Sequence, residues 1–202
     1  MLGSVITAAV TPFRADGAVD LERFRELATF LVENGSDGLV VCGTTGESPT
    51  LTDDEKLDLF RTAVDAIGDR ATVIAGTGTY DTGHSAALTR EATELGVDAI
   101  LVVTPYYNKP PQRAILRHFE EIAGATHLPV VAYNIPSRVV VNIESATIAR
   151  LAQALAFPGA PPCTLASPTS PSTPARWKRP SGPTTTRSFP PPRCRTASSA
   201  PC

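Results

Sequence analysis

Between Val5 and Gln153 the chain repeats one pattern five times: a short apolar run, a polar stretch, then a longer segment with apolar residues at helical spacing. The runs are VITAAV (5–10), DGLVVCG (37–43), ATVIAGTG (71–78), VDAILVVTP (97–105) and LPVVAYNIP (128–136). The helical segments follow at 20–35, 52–69, 81–96, 112–126 and 143–153. Because the runs are continuously apolar rather than alternating, they read as parallel strands covered on both faces. Gly35, Gly68 and Gly96 stand where helices end ahead of the next strand, and Thr52 with the acids behind it reads as a helix start. Consecutive βα units build either an open doubly wound sheet or a closed (β/α)8 barrel, and both gather active sites on the loops that follow the strands. Closure takes eight strands, so a chain with five units leaves two unpaired edges and an apolar interior uncovered.

The pattern stops at Gln153. Residues 1–153 hold all 20 Asp and Glu but only 12 of the 18 Lys and Arg, a net charge near −8. Residues 154–202 hold no acid, no Val or Ile, and 12 of the 19 prolines. Such a segment buries too little apolar surface to offset the entropy lost on folding, so disorder is expected. Cys42 lies in an apolar run and suits a reducing cytosol, whereas Cys163, Cys194 and Cys202 fall in the tail without metal-ligand spacing. No basic start with a long apolar stretch marks a signal peptide, and no run approaches a membrane span. A cytoplasmic protein without membrane or nucleic-acid partners is therefore expected, since the body is acidic and the tail's six charges are spread out.

Several strand-end motifs offer chemistry. In VCGTTGESPTL (41–51), the backbone amides and hydroxyls of Thr44 and Thr45 suit a carboxylate or a phosphate. The absence of a GK[ST] ending excludes a nucleotide P-loop, and a plain tight turn with a capping Ser48 fits the same letters. TPYYNKPPQ (104–112) sets Tyr106 and Tyr107 at a strand end, as aromatics at a rim or a subunit contact are set. Tyr133, in VVAYNIPSR (130–138), stands in an apolar strand, where a phenol needs a partner and at a strand end can pass protons. Arg138 offers a bidentate grip for a carboxylate, though a structural Tyr and a surface Arg fit equally. His84, His118 and His127 fall on helices or their ends without metal spacing, so no metal and no cofactor are expected.

Taken together, GTTGESPTL, TPYYNKP and YNIPSR, in that order and spacing, resemble the 4-hydroxy-tetrahydrodipicolinate synthase (dihydrodipicolinate synthase) family from about Val5 to Gln153. The resemblance implies a (β/α)8 TIM barrel of the class I aldolase type, here truncated to about five βα units. It implies a lyase that joins pyruvate to L-aspartate 4-semialdehyde through a lysine Schiff base, in lysine and diaminopimelate biosynthesis. By the same resemblance Thr45 holds the pyruvate carboxylate, Thr44, Tyr133 and a Tyr107 from a neighbouring subunit form a proton relay, and Arg138 binds the carboxylate of the second substrate. A homotetramer is implied as well. Sister pyruvate-dependent aldolases of the N-acetylneuraminate lyase superfamily share the barrel and the Gly-Thr-Thr-Gly-Glu type of loop, and stand as an alternative. The Tyr-Tyr-Asn-Lys-Pro stretch and the Arg of IPSR favour the dipicolinate branch.

The family's Schiff-base lysine belongs on the sixth strand, at a distance from Tyr133 that here reaches Pro161, inside GAPPC. Lys178 is the only lysine after Lys109, and it lies in ARWKRP, which is no strand. An inactive chain is thus expected, and a tail rich in Pro, Ala, Arg, Ser and Thr is what a reading-frame shift in a GC-rich gene gives. A non-catalytic half-barrel that binds a keto acid or a partner chain is the alternative from another class.

Overall fold

The computed structural model describes residues 2–154 and 164–166. Strand β1 (Ile6–Ala8) leads to helix α1 (Leu21–Glu33), β2 (Gly38–Val41) to α2 (Asp53–Ile67), β3 (Thr72–Gly76) to α3 (Thr82–Glu94), and β4 (Ala99–Val103) to α4 (Gln112–Ala123). After β5 (Val130–Tyr133) come a single-turn helix α5 (Pro136–Val139), then α6 (Ser145–Ala154) and a short strand β6 (Thr164–Ala166). Every pairing is parallel, and the strands lie in chain order from β1 to β6. A doubly wound sheet reverses its order at a switch point. This one does not, and the architecture is part of a barrel.

Register and pleat divide the strand side chains between two faces. Val41, Ala75, Ile100 and Val130 are aligned across β2 to β5, with Leu39 beside Val73 and Val102 beside Ala132. This face meets the helices, where Phe24, Leu59, Phe60, Ile115, Phe119 and Ile122 are fully buried in the same cluster. Burial of each such side chain contributes roughly 1.5–3 kcal/mol. The opposite, inner face carries Val40, Ile74 and Ala99 in one row and Leu101 beside Val131 in another. Ile74, Ala99 and Val131 are buried yet stand apart from the main cluster, while Val40, Leu101 and Val103 are only half-buried.

Helix starts follow the local chemistry. Asp20 accepts from the Arg23 amide at 3.1 Å, Asp81 from the His84 amide at 2.9 Å, and Thr52 and Glu55 satisfy each other's backbone amides at the head of α2. Gly35 (φ 103°) and Gly96 (φ 84°) close α1 and α3 in the left-handed region that favours glycine. Gly68 ends α2 as the sequence suggests and departs from Gly35 and Gly96 only in its backbone angle. Its φ is −64°, and the chain stays right-handed there because the amides of Arg70 and Ala71 both turn back to the Ile67 carbonyl.

Strand β6 is a second departure, since it falls within the segment 154–202 expected to be a disordered tail. Thr164–Ala166 pairs with Val131–Tyr133, making six strands among the described residues where five were expected. The free edge of β5 presents unpaired N–H and C=O groups, and backbone alone satisfies them, which a side-chain pattern does not forecast. The remaining tail, Cys163, Cys194, Cys202 and Lys178 included, lies outside the described residues. No helix among the described residues is long and apolar enough to cross a membrane.

His118, expected on a helix surface or in helix packing, is 3% exposed between α4 and α3. Its Nδ1 meets the Thr82 hydroxyl at 2.9 Å, while Nε2 has no partner among the described residues. Burial lowers its pKa from 6.5 to about 4, against a weaker opposing pull from Asp81. The native ring stays neutral while an unfolded chain takes up a proton below the ordinary value. Stability is therefore full above about pH 6.5 and lost as pH falls toward 4. Urea titrations at pH 7 and pH 4.5 should show the wild type losing on the order of 2 kcal/mol more than His118→Phe over that interval; equal losses would assign the acid sensitivity elsewhere.

Candidate active site

A cleft of about 1010 Å³ opens at the carboxyl ends of β2 to β5. Its walls come from the loop after β2, the heads of α2 and α3, and the loops after β4 and β5. Of the sequence-derived candidates, Thr44, Tyr107, Tyr133 and Arg138 line it, and Thr45 does not. Thr45 lies exposed one residue further along the same loop.

The loop after β2 is shaped by two left-handed residues, Cys42 (φ 54°) and Glu47 (φ 56°). The amides of Gly46 and Ser48 bond the Gly43 carbonyl at 3.1 and 3.4 Å, and the Glu47 amide bonds that of Thr44 at 3.2 Å. The buried Thr11 hydroxyl anchors the turn by donating to the Gly46 carbonyl at 2.7 Å. The turn thus consumes its later amides, and among the described residues those of Thr44 and Thr45 have no partner. Two free amides beside two hydroxyls form a receptive place for an anionic oxygen. Ser48 caps no helix with its side chain; Thr52 does that four residues on.

Tyr133 ends β5 half-buried, and its side chain opens into the cleft, so its phenol is not the enclosed group expected of an apolar strand. Its carbonyl holds the neighbouring strand end, accepting from the Thr104 amide at 3.0 Å and the Thr104 hydroxyl at 3.1 Å. Tyr106 packs edge-on against Tyr80 with ring centres 5.4 Å apart, and burial raises its pKa. Tyr107 is 86% exposed with φ 71°, standing off the rim. No hydrogen bond joins Thr44, Tyr107 and Tyr133 among the described residues, though the cleft collects all three.

Arg138 stands exposed on α5, with no ion-pair partner among the described residues. The loop that carries it is pinned from both sides by amides. Asn134 donates to Asn142 Oδ1 at 2.9 Å and accepts from the Ile143 amide at 3.1 Å. Gln112, at the start of α4, donates to the Asn142 carbonyl at 2.8 Å, and its Oε1 accepts from the Glu144 amide at 3.0 Å and the Thr147 hydroxyl at 2.7 Å.

One cluster escaped the sequence reading. Asp53 receives His84 Nε2 at 2.6 Å on one carboxylate oxygen and Lys56 Nζ at 3.2 Å on the other. Burial pushes the Asp53 carboxyl up, but the bonds and charges of His84 and Lys56 outweigh it and hold its pKa below the ordinary value. Lys56 is 5% exposed. The spacing of Asp53 and Lys56 on one helix was a visible signal; the reach to His84, 31 residues away, was not. Cys42 is 3% exposed, and burial pushes its thiol up to about 12 against a smaller pull from Lys56, so it is no thiolate nucleophile at neutral pH. Among the described residues no group of three His, Cys, Asp or Glu is placed to hold a metal ion.

Comparison with known proteins places this geometry. The model of the dihydrodipicolinate synthetase family matches residues 1–159. The 4-hydroxy-tetrahydrodipicolinate synthase of Moorella thermoacetica is 58% identical over 151 residues, which are 75% of this chain and 52% of that protein. A solved dihydrodipicolinate synthase from Bacillus anthracis superposes with a TM-score of 0.74 at 48% identity, over 76% of this chain and 52% of the other. The chloride-inhibited enzyme from Acinetobacter baumannii, solved with pyruvate, superposes with a TM-score of 0.74 at 39% identity, over 76% and 53%. The chain spans about half the length of the curated relatives it matches.

The amide clamp on the Arg138 loop can be tested directly. In Gln112→Leu the Glu144 amide loses its acceptor, and its hydrogen exchange should quicken about tenfold, the effect of roughly 1.4 kcal/mol. The Val73 amide, bonded to Asp98 at 2.8 Å, should stay as it was. Unchanged exchange at Glu144 would show that the loop holds itself.

Proposed function

The chain belongs to the dihydrodipicolinate synthetase family, and from that premise we propose that it carries the carboxylate-binding and proton-handling part of a lyase that condenses pyruvate with L-aspartate 4-semialdehyde. The observation that carries the reading is the convergence of Thr44, Tyr133 and Arg138 on one cleft at the carboxyl ends of parallel strands.

In the proposed reaction a neutral lysine amine adds to the pyruvate carbonyl and water leaves, giving an imine. A methyl proton is then lost, and the enamine carbon bonds to the aldehyde carbon, whose oxygen takes up a proton. The amino group of the second substrate next attacks the imine carbon, closes the ring and releases the lysine. Thr44 and Tyr133 line the cleft where those protons must move, and a phenol there can donate and recover one. The unpartnered amides at Thr44 and Thr45 suit the pyruvate carboxylate, with the Thr45 hydroxyl joining them once its loop is loaded. Arg138, without an acidic partner among the described residues, suits the carboxylate of the semialdehyde. Tyr107 projects outward, as a residue serving the cleft of a neighbouring subunit in a homotetramer would. A buried unpaired Cys42 suits a cytoplasmic setting.

We further propose that this chain lacks the activity, because among the described residues no lysine supplies the amine. Lys56 lines the cleft but is engaged by Asp53 and nearly sealed from it. Lys109 lies on the loop after β4 and is not among the residues lining the cleft. Threonine, tyrosine and arginine side chains do not form imines. Incubation with pyruvate and borohydride should leave the protein's mass unchanged; a stable adduct on Lys56, Lys109 or Lys178 would end the claim of inactivity.

The segment 154–202 we attribute to a shift of reading frame, supported by its composition and by a resemblance that fades where it begins. Sequencing the coding DNA from the Ile148 codon onward and translating every frame should reveal a strand bearing a lysine, followed by further βα units. A tail that is open in its own frame alone would favour instead a half-barrel that binds without catalysing.

A further inference from the structure

A second depression, of about 520 Å³, lies on the outer side of the helix layer, walled by α3, α4 and α6, and it shares no lining residue with the cleft. Four guanidiniums stand around it: Arg90 from α3, Arg113 and Arg117 from α4, and Arg150 from α6. All four residues are exposed. Along α4 the lining positions 113, 116, 117, 120, 121 and 124 recur at helical spacing and form one stripe, while Ile115, Phe119 and Ile122 are buried on the other side of the helix. Leu116, itself buried, is the apolar part of the lining.

Charge in this bowl is unbalanced. Glu120 and Glu121 are its only acids against four arginines, and among the described residues only Arg117 has an acidic partner, Glu121 at 3.7 Å. Arg113 stands in the first turn of α4, where open amides already make the helix end positive; Pro111 brings no side-chain cap and no acid lies in that turn. The surplus is local, since residues 1–153 hold 12 Lys and Arg against 20 Asp and Glu. The tail cannot neutralise it with side chains, because residues 154–202 contain no Asp or Glu. Like charges gathered in this way repel one another, and a bound anion turns that repulsion into attraction.

We propose that the bowl over α4 is a binding site for a compact phosphate-bearing anion, held by the guanidiniums of Arg90, Arg113, Arg117 and Arg150. The guanidinium fork meets two phosphate oxygens at once, and several forks around one depression suit a ligand with more than one phosphoryl group. The volume is that of a small-molecule site. A nucleic acid fits poorly, because it would run past the bowl onto an acidic body, and screening over about 8 Å confines the attraction to the arginines themselves. Glu120 and Glu121 repel phosphate but accept from hydroxyls. A ligand with hydroxyls beside its phosphates therefore engages the whole lining, whereas an inorganic polyphosphate engages the arginines alone. This site stands apart from the cleft and does not rest on the function proposed above.

The test is calorimetric titration of the full 202-residue chain with inorganic tripolyphosphate and, separately, with ADP. Tripolyphosphate should bind one to one. Arg113→Gln with Arg150→Gln, both at exposed positions, should keep the helical circular dichroism of the chain while weakening that binding about tenfold or more. Arg61→Gln with Arg138→Gln removes the same charge from α2 and from the cleft, and should leave the affinity as it was. Absence of binding, several molecules bound per chain, or an equal loss in the control pair would each overturn the site; the last would move the anion to the cleft or to the general field of the protein. The two probes separate the sources of the phosphate. ADP binding tighter than tripolyphosphate, and weakened by Glu120→Gln, supports the site with an organic phosphate as its ligand. Tripolyphosphate binding as tightly as ADP or more so supports it with an inorganic one.

Discussion

Parallel pairing in unbroken chain order, β1 against β2 through to β5, is the constraint on which the rest of this molecule depends. Parallel strands can be joined only by crossovers, so each strand is followed by a helix that returns the chain to the same starting end. The consequence is that every carboxyl end, with its loop, arrives on one face. Thr44, Tyr107, Tyr133 and Arg138 stand on three different loops and strand ends, yet the register that sets Val41 beside Ala75 and Val103 beside Tyr133 brings them around one cleft. The outer face supplies the cohesion for this, since helices cover it with fully buried Phe24, Phe60 and Phe119. Chemistry and stability thus occupy different ends and different faces of the same strands.

What the sequence makes legible follows from the range of the interaction. Strands without polar alternation announce burial on both faces, and the Thr52–Glu55 box announces a helix start, because both signals sit within a few residues. The strand and helix pattern did not choose between an open sheet and a barrel, since strand order is a matter of long-range pairing; the resemblance carried by the motifs did, and the strand order agrees. The motifs fall on loops that border one cleft, yet letters could not say that Thr44 faces it while Thr45 does not. Adjacent residues in a turn diverge by backbone angles, here set by left-handed Cys42 and Glu47. Ser48 read as a cap because serine caps are common, but the 3-10 turn over Ser48–Thr50 left that task to Thr52. The bond from His84 to Asp53 was not legible because its partners lie on different helices, and the Thr82 partner of His118 was hidden for the same reason.

The cleft also shows how two groups that look reactive in a sequence are made quiet by folding. A thiol and an amine beside each other suggest nucleophilic chemistry. Here Cys42 is sealed in an apolar layer that disfavours its anion more than nearby Lys56 favours it. Lys56 is drawn to Asp53, which His84 holds from the other side. Desolvation without a strong cation silences the first, and ion pairing silences the second. Hydroxyls, phenols and the Arg138 guanidinium remain open to solvent in the cleft, beside the partly exposed Asp53–His84 pair and Asp81.

The same separation of tasks explains how a half-barrel can retain a shaped cleft. The loop carrying Arg138 is fixed by Gln112 and Asn134, both within the matched part, so its geometry does not wait on the rest of a cylinder. The inner face is different. Val40, Leu101 and Val103 are apolar because a barrel interior is filled from all sides, and strands on the far wall must supply the opposing side chains. In this sheet that wall is absent among the described residues, so apolar surface remains in contact with water just below the cleft. An active-site lysine added to one of the existing strands would therefore still lack the dry surroundings that lower an amine's pKa. Closure of the sheet and competence of the amine are one requirement, and it is the inner face that joins them.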